Sequence, residues 1–157
     1  MERQDMPAWL SHAVEQFEQT NHSDGDMLSH DWLKFALQIR EPKTLDEAKE
    51  MQFVMLSRMD AFRDHLLNAR KVALQNVRGQ GYRIVPPHEQ ARFAADHAMR
   101  HVHKGLKQGK NIMRNTRIDA LTDEERQRHT DAEVKLCGLS QMMRHQRRDV
   151  FALFKAS

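Results

Sequence analysis

Gly79 and Gly81, one residue apart in Arg78-Gly79-Gln80-Gly81, restrict the fold of this chain more than any other feature. They separate two β-type segments, residues 72–77 and 82–85. Glycine supplies the positive φ angles that a tight reversal needs. The spacing predicts an antiparallel hairpin in a chain whose other long segments carry helical periodicity. Pro86-Pro87 follows the second strand, where the lost N–H and fixed φ end a ladder, and sets a boundary between a first domain, 1–86, and a second, 87–157.

Ahead of the hairpin the apolar residues recur at helical intervals. Trp9, Leu10, Ala13, Val14 and Phe17 share a face of a first helix, with Asp5 as its cap and Pro7 in its first turn. Residues 20–26 carry turn chemistry in Asn21, Ser23, Asp24 and Gly25, and Met27-Leu28 reads as a very short strand. Ser29 caps a second helix bearing Trp32, Leu33, Phe35, Ala36 and Ile39, which Pro42 stops. Thr44 and Glu47 have capping-box spacing. They start a third helix through Ala48, Phe53, Leu56, Met59, Phe62 and Leu66 to about Asn68, with Glu50 an admissible break.

Beyond Pro87 the sequence is charged and nearly free of turn signals. Ala91, Ala95, Ala98, Val102, Gly105, Gly109 and Ile112 alternate four and three apart, as do Ala132, Leu136, Leu139, Met143, Gln146, Val150 and Leu153, after an opening interval of four. Such spacing predicts coiled-coil seams. Thr122 with Glu125 caps the second of these helices, and residues 115–121 provide the reversal. The result is a long antiparallel helical hairpin. Its first seam is built of small residues that bury little area, so a second copy of the chain is expected to complete it as a homodimer.

Composition limits the function classes. The 39% hydrophobic and 30% charged content, with six glycines and four prolines, suits a folded helix-rich protein. No apolar run approaches the ~20 residues of a membrane span, and residues 1–5 are polar without a signal-peptide core, so a cytoplasmic protein is expected. The lone Cys137, beside Val134, Leu136 and Leu139, reads as a buried apolar residue rather than a nucleophile. Net charge is +3, but residues 1–82 carry 10 Lys/Arg against 13 Asp/Glu and residues 83–157 carry 15 against 9. The basic second half suits phosphates or a solvated helix surface.

Helix, short connection, amphipathic helix and glycine-turned hairpin is the order of a winged helix-turn-helix. Asn76-Val77-Arg78-Gly79-Gln80-Gly81-Tyr82-Arg83-Ile84 resembles the wing of the output domains of OmpR/PhoB-like response regulators, which commonly read Thr-Val-Arg-Gly-X-Gly-Tyr-Arg and an apolar residue. Met59-Asp60-Ala61-Phe62-Arg63-Asp64-His65-Leu66 is similar to that family's recognition helix. The likeness covers roughly residues 27–85, with no receiver domain. It implies a mainly α fold with a small β wing that grips double-stranded DNA, Arg63 on the phosphate backbone, Arg78 on the wing near the minor groove, and Tyr82 packing the wing on the core. Arg83 belongs to the same wing motif and is expected to contact DNA, as are Ser57 and Ala61 on the helix. Ser57, Arg58, Ala61, Asp64 and His65 face away from the Leu56, Met59, Phe62 and Leu66 stripe, and Arg58 is the expected base-edge contact.

These features predict a non-catalytic, dimeric transcriptional regulator in a bacterial or phage setting. Asp60 and Asp64 repel phosphate where the family carries basic residues. They leave open a second reading, an interaction module or inhibitor that holds a protein partner on a winged-helix scaffold. No phosphate loop, nucleophile elbow or cysteine-rich zinc pattern is present, so neither catalysis nor a cofactor is expected. His97 and His101 have i, i+4 spacing, with His88 and His103 nearby, but a third ligand is not apparent and no metal is expected.

Overall fold

The computed structural model describes residues 6–155, so the expected cap at Asp5 lies outside the described residues. The chain is mainly helical with one small antiparallel sheet, and it divides into two compact units, Met1–Gln90 and Ala91–Ser157. The division falls a few residues past Pro86-Pro87.

In the first unit the order is α1 (Ala8–Gln19), β1 (Met27–Ser29), α2 (His30–Ala36), α3 (Leu45–His65), β2 (Ala73–Val77) and β3 (Gly81–Val85). The sheet runs β1-β3-β2, all antiparallel, so the last strand in the chain is the central one. Val77 pairs with Gly81 across the turn, and Leu28 pairs with Tyr82. Gly81 has φ +133°, and a Cβ there would stand 2.0 Å from the Leu28 carbonyl oxygen. Only a residue without Cβ lets β1 approach β3.

Local signals place several helix ends. The Ser29 hydroxyl accepts from the Trp32 N–H, and the Thr44 hydroxyl accepts from the Glu47 N–H. The Glu47 carboxylate reaches the Lys43 N–H at 2.7 Å rather than the Thr44 N–H, so the expected capping box is half made. α2 ends at Ala36, before Pro42, because Gln38 turns left-handed at φ +53°. α3 runs without a break at Glu50. Past His65 it widens into a π-helical turn, Leu66–Arg70, closed by Lys71 at φ +61°.

Among the described residues twelve form the core, including Leu10, Leu28, Leu33, Met59, Phe62 and Ile84. The α3 stripe agrees with the expected one at Met59, Phe62 and Leu66 and departs from it toward the start of the helix. Met55, Met59, Phe62 and Leu66 face the core, whereas Phe53 is 74% exposed and Leu56 is exposed as well. Phe35 on α2 is also exposed. Met55 and Leu56 both lie about one turn before Met59, and only the packing partner decides which of them is covered.

His22 is wedged between Phe17 and Trp32, ring centroids 5.2 and 5.1 Å away, and its Nε2 is buried with no hydrogen-bond partner. Burial pushes the imidazole below its ordinary value, against a smaller upward pull from Asp26. The unfolded chain therefore takes up a proton more readily than the folded one. The contribution to stability is whole above about pH 6.5 and declines as pH falls below it. His22→Phe, which fills the same aromatic slot without titrating, should lose part of that decline in urea midpoints compared at about pH 5 and about pH 7.5.

The second unit is built from α4 (Pro87–Arg114) and α5 (Asp123–Ala152), joined through a short 3-10 turn, Ile118–Ala120. Thr122 and Glu125 form a complete capping box at the start of α5. Residues 99–110 of α4 lie against 140–147 of α5, and residues 110–114 against 133–137, so the helices are antiparallel. The seam is displaced from the one expected. Ala95, Met99, Leu106, Gly109 and Met113 on α4 and Leu136, Ser140, Met143, Val150 and Phe154 on α5 are buried or half-buried, while Ala91, Ala98, Ile112, Ala132, Leu139 and Leu153 stay exposed. Cys137 is exposed too, contrary to its sequence neighbourhood, because it sits one residue beyond the seam position Leu136.

The displaced residues have a consequence. Ala98, Gly105 and Ile112 each precede a seam residue of α4 by one position, and Leu139, Met142 and Leu153 do the same on α5. An antiparallel pair is related by a two-fold axis perpendicular to the plane of its helices, so equal offsets fall on the same side. The hairpin therefore presents one apolar stripe, contributed by both helices, with Leu153 78% exposed.

Candidate nucleic-acid interface

The second half of α3 and the β2–β3 hairpin bring together part of the expected site. The Arg63 guanidinium lies over the Tyr82 ring, 5.9 Å from its centroid, which ties the helix to the hairpin. Asp60 is 3.5 Å from Arg63 one turn back and exposed to solvent. Such an exposed pair is worth little and yields readily to a stronger anion. Tyr82 itself packs on the core. Arg78 stands exposed in the turn between the strands, where Gly79 takes φ +77°. Ser57 is exposed and Ala61 half-buried on α3.

Two expected contacts are spent elsewhere. Arg58 donates from Nη1 to the carbonyls of Leu37 and Gln38, at 2.6 and 3.0 Å, and its guanidinium lies 5.2 Å from the centre of the Trp9 ring. It satisfies carbonyls left open at the end of α2, which a base edge would have to displace. Arg83 makes a two-pronged bond to Glu89, at 2.8 and 2.9 Å. That hydrogen bond, aided by the opposite charge, pushes the Arg83 guanidinium further up from its ordinary value, so its charge is fixed and answered inside the unit. Glu89 sits in the first turn of α4, where a carboxylate also suits the helix dipole. A helix start at Pro87 with an acid two residues on was a readable sign that Arg83 had a nearby partner.

Exposed acids and apolar residues flank these cations. Asp60 and Asp64 are both exposed on α3, and Leu45, Phe53 and Leu56 form an outward apolar strip along the same helix. His97 and His101 stack with ring centroids 4.5 Å apart, and no group of three or more metal-ligating side chains gathers among the described residues. Among the described residues no helix is long and apolar enough to cross a membrane. Comparison with family models, with curated proteins and with solved structures finds no match to this chain.

Proposed function

We propose that this chain is a non-catalytic regulator that grips double-stranded DNA through a winged helix and pairs with a second copy through its helical hairpin. The observation that carries the reading is topological. The order α1-β1-α2-α3-β2-β3, with a sheet ordered β1-β3-β2, is compatible with a winged helix and spans the residues that resemble the OmpR/PhoB-like output domains, which supports the reading. On this reading α3 enters the ~12 Å major groove, while Arg63 and Arg78 anchor it to phosphates on either side. Ser57 and Ala61 face the bases. Arg58 and Arg83 hold the scaffold. The apolar stripe of α4 and α5 is the surface on which a second hairpin packs.

Titration of a labelled random-sequence duplex at several salt concentrations tests the DNA half. Each lost phosphate contact lowers the slope of log affinity against log salt by about 0.9, so Arg63→Ala with Arg78→Ala should lower it by about 2. Absence of duplex binding near 50 mM salt by a folded protein would overturn the reading. Analytical ultracentrifugation tests the other half, because Leu139→Glu with Met142→Glu should turn a dimer into monomers. The exposed strip of Leu45, Phe53 and Leu56 beside Asp60 favours the second reading, a protein-binding module, and the same duplex titration separates the two.

A further inference from the structure

On the side of the hairpin opposite its apolar stripe, α4 and α5 open a cleft of about 180 Å3 whose rim carries His103, Lys107, Lys110, Arg144 and Arg147, with Ser140 in its wall. None of these five basic side chains has a carboxylate within 4.0 Å among the described residues. The ion pairs of this unit lie elsewhere, Arg100 with Asp96, Arg126 with Asp123 and Arg128 with Glu124. Four lysine and arginine charges thus converge on one concavity without an internal counterion, an arrangement whose mutual repulsion an anion relieves. Arg147 is steadied by the Phe151 ring, 5.8 Å from its guanidinium carbon.

Ser140 supplies the second, independent sign. It is 8% exposed, the only buried residue described in this unit, and its Oγ has no hydrogen-bond partner. A buried hydroxyl is normally paired, and within a helix it usually turns back to a carbonyl one turn earlier. Here Ser140 lines the cleft while its Oγ is closed to solvent, an unpaired donor that a turn about χ1 would bring to an anion.

We propose that the cleft binds a compact free phosphate anion, of the size of phosphate or diphosphate, with Ser140 Oγ donating to one oxygen and Lys107, Lys110, Arg144 and Arg147 meeting the charge. The volume is below the roughly 300–1,000 Å3 of sites that take whole organic ligands, which selects a small ion. Burial of that hydroxyl selects a free one. Phosphates on a duplex lie along a convex backbone that lysine and arginine tips reach, whereas a hydroxyl buried to this extent requires an ion able to enter the cleft. The site uses no residue of α3 or the β2–β3 hairpin, so it stands or falls apart from the DNA-binding reading.

Isothermal titration of the whole folded protein with inorganic diphosphate, near 0.15 M salt, is the test. Saturable uptake of one ion per chain is expected, weakened by at least about tenfold in Lys107→Gln with Arg147→Gln. Ser140→Ala, which leaves every charge in place, is expected to weaken it about fivefold or more, and Arg63→Ala with Arg78→Ala to leave it unchanged. Absence of saturable uptake, or equal affinity in the Lys107 and Arg147 variant, overturns the site. Unchanged affinity in Ser140→Ala, or displacement of diphosphate by random duplex, overturns the free-ion assignment and leaves a surface that tracks nucleic-acid backbone.

Discussion

Gly81→Ala is expected to lower the unfolding free energy by about 3 kcal/mol or more, read from urea denaturation followed by far-UV circular dichroism. Two costs add. At φ +133° an L side chain is strained by its own backbone, and the new Cβ would lie 2.0 Å from the Leu28 carbonyl oxygen and 3.1 Å from the Ser29 Cα. The obstacle is backbone on both counts, so no rotamer change relieves it. β1 must move off β3, and the pairs Leu28 with Tyr82 and Ser29 with Gly81 are lost. Gly79→Ala is the internal control. Its φ of +77° is also left-handed, but a Cβ there meets nothing within 4 Å, so the cost is the conformational one of about 1–2 kcal/mol. Equal losses at the two positions would show that the close approach of β1 is not what Gly81 serves.

Phe62→Ala should cost about 3–5 kcal/mol, the range for removing a fully buried aromatic ring. Phe62 is wholly buried on the inner face of α3 and meets Phe17 of α1 edge to face at 6.2 Å. Deleting the ring empties the junction between these helices, and the surrounding Leu33, Met59 and Leu66 can close such a space only in part. Phe53→Ala offers the contrast within the same helix. With Phe53 74% exposed, thermal unfolding should shift little, although the two residues look alike in sequence.

That contrast shows where a reading of the residues succeeds. Signals that act over four residues or fewer are legible, because cause and effect lie side by side. Ser29 and Thr122 cap where they were expected to cap, and the Gly79 and Gly81 pair reverses the chain between two strands. Signals that depend on a distant partner are not. On α3 the positions Met59, Phe62 and Leu66 admit either Met55 or Leu56 one turn earlier, and only the packing of α1 and the sheet selects Met55. The α4 and α5 seams carry the same ambiguity, since Leu136, Met143 and Val150 belong to both registers. Among the candidate contacts, Arg58 is claimed by the carbonyls of Leu37 and Gln38, some twenty residues away, which no local pattern announces. Ser140 carries no local sequence signal, because its meaning lies in what fails to pair with it.

The sheet order β1-β3-β2 also sets a sequence of events in time. β2 and β3 are neighbours along the chain and can close their turn in about 1–10 μs, independently of everything before Ala73. The central strand then waits for a three-residue partner that left the chain's growing end about fifty residues earlier, so the slow step is the capture of β1 and, with it, the docking of α1 and α2. Until that capture, β3 displays an unpaired edge between Gly81 and Arg83. The brevity of that edge, and the bare backbone at Gly81 that admits only a close-fitting strand, protect the nascent chain from pairing with its neighbours.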